Sequence, residues 1–297
     1  MRPLRVWLVY FCSVLFAGST VAPWIHRAVA ALAGSSGVFA DLAGHPFHRY
    51  VNRCLLVAAL LGLAIPLRAL QFRSFSDAGI RALSRDLRPF LLGVLAGFGS
   101  MAVMVILIVG LGYRTWWFEH SAREWAKLLL NATASALAVA CLEEVLFRGA
   151  VLGSFLRAGT VRTGLWTSTL IYAWVHFFSP IVWKAPVVWT SGYAALGGMM
   201  RGWVDPGMLF PGLLNLALAG GILGVLYWRT GSLQSSIGLH AGWIFWLKCY
   251  GFVTMPAVAV GSAVSGSGKL IDGWIALPVL GLMLLGALKL RCGENRT

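Results

Sequence analysis

Residues 126–149 read AKLLLNATASALAVACLEEVLFRG. Apart from Lys127 and Asn131, as far as Leu142 this is a run of apolar and small residues, about long enough to cross 30 Å of hydrocarbon as a helix rising 1.5 Å per residue. It then passes, with no turn signal, into Glu143, Glu144 and Arg148. A soluble amphipathic helix would spread its charge along one face. Here, Lys127 apart, the charge is collected at one end of an apolar rod.

The rest of the chain has the same character. Of its 297 residues 59% are hydrophobic and 11% charged, against about 45–50% and 25% in soluble domains. A soluble fold of this size cannot bury so much apolar surface, so the bilayer is the expected solvent. The formal net charge of +14 would suit a nucleic-acid partner through counterion release. The arginines, however, sit in loops between apolar runs and form no basic stripe, so nucleic acid is excluded and the positive-inside rule accounts for them. The five cysteines, Cys12, Cys54, Cys141, Cys249 and Cys292, are scattered with no C-x-x-C pair. Neither a disulfide framework nor a zinc ribbon is expected.

Apolar windows predict an all-α polytopic membrane protein with eight transmembrane helices, at 4–23, 52–70, 89–113, 126–147, 164–183, 207–228, 235–257 and 272–290. Arg2, Arg5 and Ala17-Gly18-Ser19 resemble a cleavable leader, but with so many spans following, an uncleaved first helix is expected. Lys and Arg concentrate in loops 71–88 and 148–163, which assigns both termini to the cytoplasm. Lys184 to Pro206, rich in Trp, Gly and Met, reads as a re-entrant or interfacial stretch. Residues 1–297 are expected to form a single transmembrane domain.

An ionisable side chain at the centre of a span costs about 2.5–3.5 kcal/mol even on lenient scales. Three groups call for a reason. Glu144 and Arg148 are four apart and share a helix face, as an ion pair should, while Glu143 points about 100° away. One acid held by an arginine and one left over suits a site with a structural and a reactive carboxylate. The other two groups are His176, in Tyr172-Ala-Trp-Val-His176, and His240, in Ser236-Ile-Gly-Leu-His240-Ala-Gly-Trp243. Taken singly, a helix-end glutamate pair or a hydrogen-bonded core histidine explains each as well. The topology brings Glu143 and His240 to one membrane half, with His176 within reach if its helix tilts. A carboxylate and two imidazoles that converge in lipid make a poor structural choice and a good hydrolytic one.

These residues resemble the CAAX protease and bacteriocin-processing family of intramembrane endopeptidases. Glu143-Glu144-x-x-x-Arg148 matches its first motif, Tyr172-x-x-x-His176 its second with Tyr where Phe is usual, and Ser236 to Ala241 the start of its third. The resemblance covers about residues 126–257, the expected catalytic core. It implies eight spans and an intramembrane active site of Glu143, His176 and His240, supported by Glu144 and Arg148, with no cofactor. It also implies a membrane-anchored protein or peptide substrate. The departure is Ile244, where the family carries an Asn or Asp thought to help hold the oxyanion. Trp243, Trp246, a backbone amide or Asn215 are the candidate replacements.

The expectation is thus a protease in which Glu143, oriented by His176, activates water while His240 stabilises the oxyanion. One rival makes Glu143, His176 and His240 the ligands of a catalytic zinc. Others are an inactive family member serving as a scaffold or immunity protein, and a proton-coupled transporter. A bacterial plasma membrane is the expected location.

Overall fold

The computed structural model describes residues 2–80, 83–178, 180–201, 210–257, 263–266 and 269–290. Cys292, two positions of the loop 71–88 and the start of the predicted span 207–228 lie outside them. The chain is mostly helical: α1 (Arg2–Ala31), α2 (Gly37–Ala43), α3 (Phe47–Gly62), α4 (Ala64–Ala69), α5 (Leu83–Gly110), α6 (Ala122–Glu144), α7 (Gly153–Arg157), α8 (Val161–His176), α9 (Ser191–Met199), α10 (Gly212–Thr230), α11 (Leu233–Val253) and α12 (Ala276–Lys289). Two short strands, β1 (Arg114–Trp116) and β2 (Thr254–Pro256), pair antiparallel with Thr115 opposite Met255.

Among the described residues, four helices are long and apolar enough to cross a membrane: Arg2–Ala31, Phe47–Ala69, Leu87–Gly110 and Gly212–Thr230. They fall on the first, second, third and sixth expected spans. The other four expectations fall on α6, α8, α11 and α12. The 16 residues of α8 and 14 of α12 rise about 24 and 21 Å, less than the roughly 30 Å of a hydrocarbon core. Helix α11 carries Gln234, Ser235, Ser236, His240 and Lys248, so the residues that make it interesting also make it less apolar. The nine-residue α9, within the stretch read as re-entrant or interfacial, rises only about 14 Å.

Two boundaries differ from expectation. Helix α8 stops at His176 instead of reaching 183, four residues before Pro180, whose ring lacks the N–H and crowds the residue before it. In the other direction, the helix bearing Glu143 does not end at 147. Val145–Leu152 continue it as a π-helix and α7 carries it to Arg157 with right-handed helical backbone throughout. Glu143 and Glu144 are therefore interior to a long helical rod.

The chain divides into two compact units, Met1–Phe72 with Phe177–Pro206, and Arg73–His176 with Gly207–Thr297. In the first, α1 lies against α3 and α9. Close approach depends on Gly18, where a Cβ would come within 2.7 Å of Leu55, and on Gly192, which abuts the Ser19 carbonyl. Tyr10 donates to the Ala59 carbonyl at 2.6 Å.

The second unit holds every predicted site residue. Its most extensive helix pair is α5 with α11, and the sequence reason is a double small-residue motif. Gly93 and Gly97 of α5 face the backbone of Ser235 and Leu239, and Gly238 and Gly242 of α11 face the backbone of Phe90, Val94 and Phe98. Four-residue glycine spacing on both helices lets the backbones touch without side chains between them. Helix α6 starts on a capping box in which Ser121 and Glu124 satisfy each other's backbone N–H groups. It offers small faces at Ala136 and Ala140 to Ile237, Ala241 and Ile244 of α11. Gly231, at φ 65°, ends α10 in a left-handed turn that leads directly into α11.

Candidate active site

Glu143 and Glu144 close α6, and the π-helix begins at the next residue. Widened turns of this kind are concentrated at functional sites, because they alter the phase of side chains within an otherwise regular helix. The wider turn leaves the Phe147 carbonyl reachable, and Ser168 of α8 donates to it at 2.9 Å. Gly149, just beyond, lets the carbonyl of Ala78 approach to 2.6 Å of where a Cβ would stand.

Arg148 and Glu144 are both 0% exposed. The Arg148 Nη1 donates to Glu144 Oε1 at 2.9 Å and its Nη2 to the Gly220 carbonyl of α10 at 3.0 Å. Its guanidinium carbon stands 4.5 Å from the ring centre of Tyr172 in α8, a cation–π contact in a desolvated site. Gly220 is needed here, since a Cβ would meet the Tyr172 ring at 3.0 Å. One arginine thus ties together the π-helix, α8 and α10.

The two histidines arrive from α8 and α11. His176 Nδ1 lies 2.8 Å from the Tyr172 carbonyl, which only accepts, so Nδ1 carries the proton and Nε2 is turned to Glu143 Oε2 at 3.1 Å. His240 Nδ1 donates to Glu144 Oε1 at 2.9 Å, which directs its Nε2 to Glu143 Oε2 at 3.7 Å. In both rings a backbone or carboxylate oxygen selects the tautomer and leaves Nε2 facing the unpaired acid. Of the two carboxylates, Glu143 is the accessible one, its side chain 23% exposed beside His176 at 27%.

The five charged or chargeable partners constrain one another. Two carboxylates and one guanidinium carry a net single negative charge, and a proton on the imidazole pair cancels it, as a buried cluster requires. The arrangement is a carboxylate with a proton poised beside it.

All five predicted residues are brought together. The division between them is less sharp than their spacing suggested, because His240 is closer to Glu144 than to Glu143 and so touches both acids. The structure also identifies a participant read only as a motif variant. The Tyr172 hydroxyl, buried, lies 3.4 Å from His240 Nε2. A phenol where the motif prefers a phenyl was the available signal.

The proposed replacements for an amide at 244 fare differently. Ile244 is buried in the apolar cluster with Ala136 and Ala140. The Trp243 indole donates to Ser100 at 3.0 Å. Asn215 donates to the carbonyls of Ile271 and Gly273, both at 2.9 Å, and so pins a loop. Trp246 Nε1 is buried without a hydrogen-bond partner, its ring 5.2 Å from that of Phe98. Among the described residues, no group of three or more His, Cys, Asp and Glu is arranged to hold a metal ion.

Residues 123–246 match the family model described as type II CAAX prenyl endopeptidase Rce1-like. The chain carries an Rce1-like domain. No curated protein and no solved structure matches the chain. The Rce1-like domain runs from the first turn of α6 to the middle of α11 and takes in Glu143, Glu144, Arg148, Tyr172, His176 and His240. The family is one of proteases, and together with the four long apolar helices it identifies an integral membrane protein. Of the helix pair that carries His240, α11 lies mostly inside the Rce1-like domain and α5 outside it.

Proposed function

We propose that this protein is a glutamate-type intramembrane endopeptidase that cleaves a membrane-anchored protein or a C-terminal segment of one. The observation that carries this reading is the convergence of His176 Nε2 and His240 Nε2 on a single oxygen of Glu143, at 3.1 and 3.7 Å. Glu143 takes a proton from a water as the water oxygen bonds to the peptide carbonyl carbon. His176, its own Nδ1 held by the Tyr172 carbonyl, fixes the carboxylate and shares the proton. His240, protonated on both nitrogens and anchored by Glu144, donates from Nε2 to the oxyanion, and the Tyr172 hydroxyl beside it supplies a second donor. The proton held between Glu143 and His176 then passes to the leaving nitrogen as the C–N bond breaks. Glu144 and Arg148 hold the frame, and no metal takes part. The exposed edge of Glu143 suits entry of a substrate from the lipid side, and the host membrane is a bacterial plasma membrane with both termini cytoplasmic.

The test is Glu143→Gln in proteoliposomes with a lipid-anchored peptide series. The variant is expected to accumulate and melt as wild type while cleavage falls by about 10²–10⁴, the usual share of a general base. Unchanged processing overturns the assignment, and loss of folding favours a scaffold role for the cluster. Cleavage that persists after strong chelation, in protein free of stoichiometric zinc, is expected; cleavage that tracks zinc content transfers the chemistry to a metal.

A further inference from the structure

A second feature lies in the first unit, on residues outside the matched range 123–246. Helices α1, α3 and α4 enclose a cavity of about 510 Å³ lined by Val9, Tyr10, Ala17, Ala58, Ile65 and Pro66, with Arg5 at its edge. That volume falls in the range that holds one small ligand, roughly 300–1,000 Å³. Of the two hydroxyls in the lining, that of Tyr10 already donates to Ala59 and the other belongs to Ser13, so apart from Ser13 and Arg5 the groove offers an occupant apolar contact. Val9 and Ile65 are left 67% and 73% exposed.

The rim is cationic. Arg2 donates to the carbonyl of Ala69, itself a lining residue, at 2.9 Å. Two guanidinium groups, those of Arg2 and Arg5, therefore stand where the N-terminus of α1 meets the C-terminus of α4. Residues 1–72 contain a single acid, Asp41, in α2 beyond the far end of α1, a 30-residue helix about 45 Å long. Nothing acidic in that stretch of chain offsets the arginines at this end.

We infer that this groove holds one acyl chain of an anionic phospholipid, with its phosphate on Arg2 and Arg5. An apolar slot alone would take any lipid. The uncompensated arginines select a negative headgroup, by about fivefold per residue for charges near a membrane surface. The occupant stabilises the α1–α3–α4 face by binding the folded form only.

Native mass spectrometry of the full chain in detergent, titrated with phosphatidylglycerol or phosphatidylcholine of equal chain length, tests this. Wild type is expected to retain one phosphatidylglycerol at least tenfold more tightly than phosphatidylcholine. Arg2→Gln with Arg5→Gln is expected to remove that preference, weakening phosphatidylglycerol by about 30-fold and leaving phosphatidylcholine unchanged. Ala17→Phe, at an exposed lining position, fills the slot and is expected to weaken both lipids, while its melting temperature without lipid shows that it folds. Equal retention of the two lipids by wild type overturns the inference, as does full phosphatidylglycerol binding by a folded Ala17→Phe protein.

Discussion

Replacing Gly238 by Ala should disable the protein although it adds one methyl group and touches no ionisable residue. The new Cβ would press on the carbonyl oxygen of Phe90 and stand 3.0 Å from its carbon and from Val94 N. One turn on, at Gly242, the equivalent distances to Phe98 N and Val94 O are 2.6 and 2.7 Å. Ordinary contact begins near 3.4 Å, and backbone cannot step aside as a side chain can, so α11 must retreat from α5 by close to 1 Å. His240 sits between these glycines and moves with them. A shift of that size stretches its 2.9 Å bond to Glu144 beyond about 3.5 Å, where a hydrogen bond is lost. The expected cost is about 1–3 kcal/mol of overpacking plus about 1.5–3 kcal/mol for a buried charge-assisted bond. Cleavage should fall by about 10²-fold, the usual consequence of a 1 Å misplacement. Gly99→Ala is the control, because nothing lies within 4 Å of its Cβ on the same α5; it should be neutral or slightly stabilising. Thermal melting in detergent and cleavage in proteoliposomes read the two effects. A Gly238→Ala protein as stable and active as Gly99→Ala would show that the close helix contact does not set the site.

Other consequences follow from the same geometry. Arg148→Ala leaves Glu144 buried without its cation and should cost about 3–5 kcal/mol, seen as loss of membrane accumulation. Arg148→Lys should not restore it, since a lysine cannot span Glu144 and the Gly220 carbonyl together. Tyr172→Phe keeps the ring beneath Arg148 and removes the hydroxyl 3.4 Å from His240, so melting should be nearly unchanged while kcat falls at least tenfold with KM preserved. Equal loss of kcat and stability would mark the hydroxyl as structural. Outside the spans, the backbone N–H groups of Arg73 and Ser74 hold the Asp77 carboxyl below its ordinary value of 3.8. Its stabilisation of the 73–77 turn is complete above that value and is lost as pH falls through the lowered one. Hydrogen-exchange protection of those two amides should drop across that acid range, and Asp77→Asn should abolish the dependence.

Much of the site was legible because ionisable residues in an apolar chain are conspicuous. Glu144 and Arg148 at helix spacing, and two histidines on later helices, needed no structure to be noticed. The glycines flanking His240, Gly238 and Gly242, and the Gly93-x-x-x-Gly97 that faces them share a spacing that signals close helix approach. The π-helix was not legible, since no residue type marks a turn widened by its neighbours, and so the rod was ended ten residues early. The link from His240 to Glu144 was hidden too, because spacing along α6 ties Glu144 to Arg148 and says nothing of a helix that returns 96 residues later. The end of α8 was signalled by Pro180 but outweighed by the apolar residues before it.

The widened stretch Val145–Leu152 also makes the chain sensitive to length at this point. Each extra residue per turn holds back the rotation of everything that follows, so α7 and the approach to α8 are phased by the count of residues between Glu144 and Gly153. Removing one residue there would let the backbone relax to a regular helix and turn the downstream segment by about 100°. Arg148 would swing away from Gly220 and Ser168 would lose the Phe147 carbonyl. Substitutions along this stretch are graded by size and polarity, whereas a single deletion would put two helices out of step at once.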